Sequence, residues 1–242
     1  MTLPIAEEAL RRDHEREHAS AVRAMFDRIA PTYDTLNRVM SAGIDQRWRR
    51  RAVRELEVAP EGDVLDLCAG TMDLTRLVAR AFPARNVVAA DFAAHMLEQG
   101  RSKAPRAETV VADAMDLPFR DASFGAVICG FGIRNVSDVK RVAHNVRRVL
   151  APGGVFVTLE LFRPARGMTR LFHTAYARHV LPRVGGWVSG DRSAYEYLAR
   201  SMGSFLTRAG YEELLREVGF ELVVGEDQIM GVAAIVTARV PR

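Results

Sequence analysis

From Val64 onward, short apolar runs recur along the chain: VLDLC, NVVAAD, ETVVA, GAVICG and GVFVTLEL. Between them lie stretches such as LTRLVARAF, HMLEQGR and VKRVAHNVRRVL, in which apolar positions fall three and four apart. Unbroken apolar runs of this length predict strands buried on both faces, and the intervening spacing predicts helices. Strand and helix alternating in this way build a doubly wound, mostly parallel α/β sheet. Before Val64 the pattern is helical, from Pro4 to about Val58, with MFDRIAPTYDTLNRVM broken by Pro31 and followed by the Arg-rich DQRWRRRAVRELEV. Residues 1–58 therefore read as a helical cap on the sheet domain of residues 59–242. After Leu161 the alternation stops and a helical insertion, 163–207, follows the fifth strand. A last helix, Gly210 to Val218, precedes strands near Phe220 to Val224 and Ile229 to Ala238 with no helix between them. That pair predicts a hairpin at the sheet edge, bringing the sheet to seven strands with an antiparallel terminal strand.

Composition narrows the function classes without choosing one. At 242 residues and 48% hydrophobic the chain can bury the core of one large domain. The net charge of +4 arises from 34 basic residues set among 30 acidic ones, too even a mixture to mark a nucleic-acid partner. No run approaches the ~18 apolar residues of a membrane span, and the charged N-terminus lacks a signal-peptide core, so a cytoplasmic protein is expected. Cys68 and Cys129 both fall inside strand-like runs and read as buried packing residues. The six histidines show no HExxH or other ligand spacing, and no metal is expected.

The chemistry concentrates at strand ends. In a doubly wound sheet, ligands collect at the carboxyl ends of strands, where the first strand-to-helix turn offers backbone N–H groups. CAGTMD occupies that turn, and it lacks the G-x-G-x-x-G of a dinucleotide site. Asp91, twenty-one residues after Gly70, ends the second strand, where an acid can accept from both hydroxyls of an adenosine ribose. Asp113, in ADAMDLPF, follows the third and can accept from an adenine amine. Asp66, Asp91 and Asp113 together suit adenosine joined to a cationic sulfonium and would repel a phosphate. The alternative for Asp91 is an ordinary helix-capping acid.

These residues resemble those of the class I S-adenosylmethionine methyltransferases, and within them the ubiquinone/menaquinone biosynthesis C-methyltransferase family. The resemblance runs from FDRIAPTYDTLNRVMSAGIDQRWRRR through VLDLCAGTMDLT, DFAAHMLEQG, DAMDLPFRDASF, GFGIRNVSD and RRVLAPGGVFVTLEL to YEYLARSM. It implies a Rossmann-like methyltransferase sheet, with S-adenosylmethionine held by Gly70 and Thr71 in the turn, Asp91 and Phe92 after the second strand, and Asp113 and Ala114 after the third. Gly130 stands where the family carries a cofactor-bonding Ser. Other departures are Met72 for Gly, Gly125 for Asp, Leu161-Phe162 for Phe-Ser and Asp45 for His. Met72 is expected to hold the turn at negative φ with its thioether folded away from the ligand; otherwise cofactor binding is weakened.

The resemblance further implies a demethylated polyprenyl quinol as acceptor. Arg134 and Asn135, at the carboxyl end of the fourth strand, would face it, Arg134 stabilising a phenolate or orienting a water. Tyr33 either touches the acceptor ring or packs between helices. From Met168 to Tyr176, apolar positions at helical spacing are flanked by arginines. That face either lines a channel for a prenyl tail, rests peripherally on the inner face of an anionic membrane, or packs as a lid. Nucleic-acid methylation lacks its motifs here. A soluble phenolic or polyketide acceptor, and a non-catalytic binding or assembly role, are the alternatives.

Overall fold

A computed structural model describes residues 5–164, 197, 200–228, 231 and 233–242. Its sheet has strands β1 (Asp63–Leu67), β2 (Val87–Asp91), β3 (Glu108–Val111), β4 (Phe124–Gly130), β5 (Leu150–Glu160), β6 (Glu221–Gln228) and β7 (Ala233–Arg239). They lie in the order β3-β2-β1-β4-β5-β7-β6. The first five are parallel, and β7 runs antiparallel to both of its neighbours. The expected terminal hairpin is present, with β7 inserted beside β5 and β6 at the edge. Helices α3 (Asp73–Ala81), α4 (Ala94–Gly100), α5 (Val139–Val149) and α6 (Arg208–Val218) flank the sheet. Its two faces carry separate cores, one against α5 and α6 around Phe156, Val146 and Leu215, the other against α3 around Leu74, Ile128 and Val157. The apolar runs of β2 and β4 are buried along nearly their whole length, as their lack of alternation predicts.

The N-terminal cap is two helices, α1 (Ile5–Ser41) and α2 (Ile44–Arg54), joined through a left-handed Gly43 at φ 77. Contrary to the break expected at Pro31, α1 continues through it. A proline removes one backbone donor and crowds the preceding turn, ordinarily at about 3 kcal/mol. Here Pro31 is exposed, while Met25, Ile29 and Ala30 are buried on the opposite face. Packing of that face holds the helix across the missing bond.

The chain reverses its direction of winding between β1 and β4, the neighbours at the centre of the sheet. Connections leave these two strands in opposite directions, so a crevice must open at their carboxyl ends. The turn after β1 forms its floor. Gly70 takes φ 51 there, and Met72 takes φ 60, not the negative φ expected for a side chain at that place. The thioether does fold away from the crevice: Met72 is wholly buried in a cluster with Ala89, Leu97 and Ala104. Left-handed backbone costs about 1–2 kcal/mol, whereas truncating a buried Met costs about 2–5 kcal/mol. Burial wins, so Met72 is the plug of this turn and not a defect in it. Beside it, a Cβ on Gly100 would lie 2.5 Å from the carbonyl carbon of Thr71, which is why α4 can close so near. Met72→Gly is therefore expected to lower the unfolding free energy by about 1–3 kcal/mol despite relieving the backbone. Urea titration checks this, and a more stable variant would show that strain outweighs packing.

Candidate active site

A cavity enclosing about 750 Å³ of open space, its mouth included, lies at the carboxyl ends of the strands. Gly70 from the first turn, Asp91 and Phe92 from the end of β2, and Asp113 and Ala114 from beyond β3 line one end. Gly130, Phe131, Gly132 and Asn135 from the loop after β4 line the other. The third wall is α1: Tyr33 and Phe26, two turns apart on one face, look into the cavity, and Phe26 packs edge-on against both Tyr33 and Phe92.

Asp91 organises the floor. One carboxylate oxygen accepts from the Gly70 N–H at 2.8 Å and the other from the Ala93 N–H at 2.8 Å. With one bond on each oxygen, a lone pair remains on both. Burial disfavours the charge more than these bonds favour it, and the carboxyl is pushed up to about 6. Asp113 accepts from the Met115 N–H at 2.8 Å, which fixes its carboxylate at the cavity wall.

Eight of the residues expected at the site thus meet around one cavity: Tyr33, Gly70, Asp91, Phe92, Asp113, Ala114, Gly130 and Asn135. The side chains of three others point elsewhere. Asp66 is fully buried beneath the turn, where it accepts from Thr75 Oγ1 at 2.6 Å and fastens α3 to β1; burial pushes it up to about 7. Thr71 turns its hydroxyl to Asp34 on α1, at 2.5 Å. Arg134, with only 7% of its side chain exposed, pairs through Nη1 with Glu160 at 2.6 Å and donates to the Phe131 carbonyl at 2.7 Å. Its Nε is buried with no partner in the structure. Cys68 is also not the fully buried packing residue expected; it is half-buried at the cavity wall, above a buried Cys129.

The departures from the family pattern have local explanations. A Cβ at Gly130 would fall 2.5 Å from Leu74 Cδ1, so Leu74 fills the space a serine would need. At Gly125 it would lie 2.6 Å from the Pro60 carbonyl oxygen, which excludes an aspartate. Asp45, nearly buried, accepts from Ser41 at 2.8 Å and pairs with Arg49 at 3.4 Å, and the Arg49 guanidinium sits 5.1 Å over the Phe131 ring. Among the described residues, no cluster of three or more His, Cys, Asp or Glu is placed to hold a metal.

Sequence reasoning missed Glu160, Lys103 and Phe26. Glu160 had a signal, an acid closing an otherwise apolar strand. Phe26 had one as well, two helical turns before Tyr33. Lys103, in a 3-10 turn after α4, had none.

A parallel sheet of this order with a reversed β7, opening at its switch point onto an acid-lined cavity, defines a class I S-adenosylmethionine-dependent methyltransferase. A SAM-dependent methyltransferase from Thermotoga maritima shares the fold at TM-score 0.63, with 16% identity, over 89% of this chain and 98% of that one. The chain belongs to the ubiE/COQ5 methyltransferase family, whose sequence profile matches residues 12–239. It is 44% identical over 216 residues to a demethylmenaquinone methyltransferase of Thermus thermophilus, spanning 87% of this chain and 97% of the relative. It is 39% identical over 217 residues to a ubiquinone/menaquinone biosynthesis C-methyltransferase UbiE of Syntrophotalea carbinolica, spanning 88% and 91%. Fold and family imply the use of S-adenosylmethionine.

A ligand whose hydroxyls bonded Asp91 would bind with a pH dependence. Hydroxyl donors need the ionised carboxylate, and in the free protein that form is lost as pH falls through about 6. Affinity for S-adenosylmethionine is expected to be flat above pH 7 and to weaken below about 6. Calorimetry from pH 5 to pH 8 checks this, and Asp91→Asn should remove most of the dependence.

Proposed function

We propose that this protein methylates a ring carbon of a demethylated polyprenyl quinol, with S-adenosylmethionine as donor, in the synthesis of menaquinone or ubiquinone. The observation that carries this reading is a cavity with acids and a glycine turn at one end, an amide at the other, a phenol on the α1 wall and a guanidinium locked nearby, in a chain of this family. The described residues fit the cofactor. Asp91 keeps acceptor capacity for two ribose hydroxyls, Asp113 is oriented for an adenine amine, and Phe92 and Ala114 offer apolar flanks to the base. Bound there, S-adenosylmethionine supplies an electrophilic methyl group on a sulfonium.

The protein's own work is to make and hold the nucleophile. A quinol carbon attacks well only once an adjacent phenol has ionised, so a fixed positive charge near the phenol oxygen favours the reaction. Arg134 cannot act as a base, but its charge lies close enough to feel the Tyr33 and Tyr197 phenols, and Glu160 holds it in place. Its Nε is buried and Arg134 does not line the cavity, so it acts on a phenolate through its charge and not through a direct hydrogen bond. Asn135 is oriented through its amide to the Phe131 carbonyl, at 3.3 Å, and Tyr197 donates to its side-chain oxygen at 3.4 Å. Tyr33 supplies a flat apolar wall for the ring.

Among the described residues no helix is long and apolar enough to cross a membrane. The basic amphipathic stretch from Met168 to Tyr176 lies outside the described residues. We assign to it the prenyl tail, or the bilayer from which the tail is drawn, because it is the clearest long apolar stripe outside the sheet framework.

The direct test is to incubate the protein with S-adenosylmethionine and reduced demethylmenaquinone, then look by mass spectrometry for a quinone heavier by one methyl group. Transfer to soluble phenols but to no quinol would overturn the proposal. Within it, Arg134→Lys is expected to lose ~100 to 1,000-fold in turnover while binding S-adenosylmethionine almost normally. A lysine keeps the charge but cannot serve both Glu160 and the Phe131 carbonyl with one planar fork, so the charge is no longer held in place. If the drop in cofactor affinity accounts for the whole rate loss, Arg134 serves the cofactor and not the acceptor.

A further inference from the structure

The cap helix α1 and the cofactor turn are joined by a small charged cluster that the chemistry above does not use. Asp34 follows Tyr33 in α1, and one of its oxygens accepts the Thr71 hydroxyl. Its other oxygen receives a close contact from Lys103 Nζ. The same ammonium reaches Asp73, the first residue of α3, at 2.9 Å. Gln46 of α2 donates to the second oxygen of Asp73 at 3.2 Å. Two acids thus converge on one cation, and through them five segments are joined: α1, α2, the turn after β1, α3 and the 3-10 turn after α4.

The cluster is not an ordinary surface ion pair. Lys103 is 20% exposed and Asp73 8%. Burial by itself would raise the Asp73 carboxyl, yet Lys103 foremost, with Arg49 and Gln46, outweighs it and holds the group below its ordinary value. Removing the ammonium would leave two carboxylates facing each other across a partly dry gap, so its loss should be felt where these segments meet.

They meet at the cavity. Through Tyr33 and Phe26, α1 forms one wall, and the Gly70 N–H on the other side of the turn is the group that Asp91 accepts. One carboxylate, Asp34, is therefore bonded to the residue after Gly70 and is adjacent in sequence to Tyr33. We propose that Asp34 and Lys103 are positioning residues for methyl transfer: they latch α1 against the cofactor turn, and so set the cofactor's residence time and the place of Tyr33. The proposal rests on the reading of the cavity as the S-adenosylmethionine site. Because α1 is one wall of that cavity, a looser latch would loosen the enclosure of whatever is bound there.

The test uses the full-length protein loaded with radiolabelled S-adenosylmethionine and chased with excess unlabelled cofactor. Lys103→Met and Asp34→Asn are each expected to release label at least about tenfold faster, because losing one partner of a desolvated pair acts chiefly on dissociation. Acceptor KM should rise in both, although Lys103 does not line the cavity. Lys103→Arg, which keeps the charge, should recover release to within about threefold. If Lys103→Met does not fold, the same expectation falls on Asp34→Asn, which changes shape least. Release within about twofold of the unaltered protein in these folded variants overturns the latch. If the unaltered protein retains no S-adenosylmethionine, the cofactor reading fails by itself, and amide hydrogen exchange of α1 still decides. Faster exchange in Lys103→Met supports the latch, and unchanged exchange overturns it.

Discussion

A single carboxylate fastens the first strand-to-helix turn to the strand beside it. By accepting from both the Gly70 and Ala93 N–H groups, Asp91 binds the turn after β1 to the start of the segment after β2. The Gly70 N–H lies at the switch point of the sheet and the Ala93 N–H just beyond β2, both past the ends of their strands' ladders. Without the acid the crevice would be a gap lined by orphan donors. With it, the gap becomes a rigid floor, and the same oxygens remain open to a ligand on their far side. The left-handed Gly70, the buried Met72 and the close approach of Gly100 all serve the one geometry that this carboxylate holds.

Around that floor the walls are held by ion pairs, and the pairs sit where backbone ladders end. Arg134 with Glu160 ties the loop after β4 to the end of β5, and Arg49 with Asp45 ties α2 to the Phe131 ring over the same loop. Buried pairs of this kind contribute little net stability, because desolvation consumes most of the Coulomb gain. What they fix is placement: each guanidinium is forked between partners on different elements, so those elements cannot shift independently. That is suited to a site in which a cation near the acceptor must stay put while the ligands exchange.

The framework was legible from the chain because its signals are local. Unbroken apolar runs mark the parallel strands, and two runs without a helix between them mark the β6–β7 hairpin. Asp91 and Asp113 were legible because strand ends are fixed places in this topology. What failed were inferences from one residue's habit. Pro31 does not break α1, because the buried face on both sides of it outweighs one lost bond. Met72 does not avoid positive φ, because a fully packed thioether is worth more than the strain. Thr71 and Arg134 were assigned outward from their place in motifs, but the direction of a side chain depends on partners remote in sequence: Asp34 lies 37 residues from Thr71, and Glu160 lies 26 from Arg134. Lys103 was illegible for the same reason, since a lone lysine in a polar stretch carries no mark of the two acids it joins.

Two of the substitutions that set this chain apart from its family's pattern, Gly130 and Asp45, are connected through Arg49. Gly130 removes a side chain at the end of β4, and Leu74 of α3 occupies the volume, with Arg49 Nη1 3.5 Å from where a Cβ would be. Arg49 is positioned by Asp45, the residue that stands in place of the family's histidine. One set of contacts therefore runs from Asp45 of α2 through Arg49 to the end of β4 and Leu74 of α3. None of these contacts involves Asp91 or Asp113, and the Gly70 N–H donates to Asp91. Gly130 and Asp45 thus both act on the wall formed by the loop that carries Phe131 and Asn135, and the floor at Asp91 is held by separate bonds.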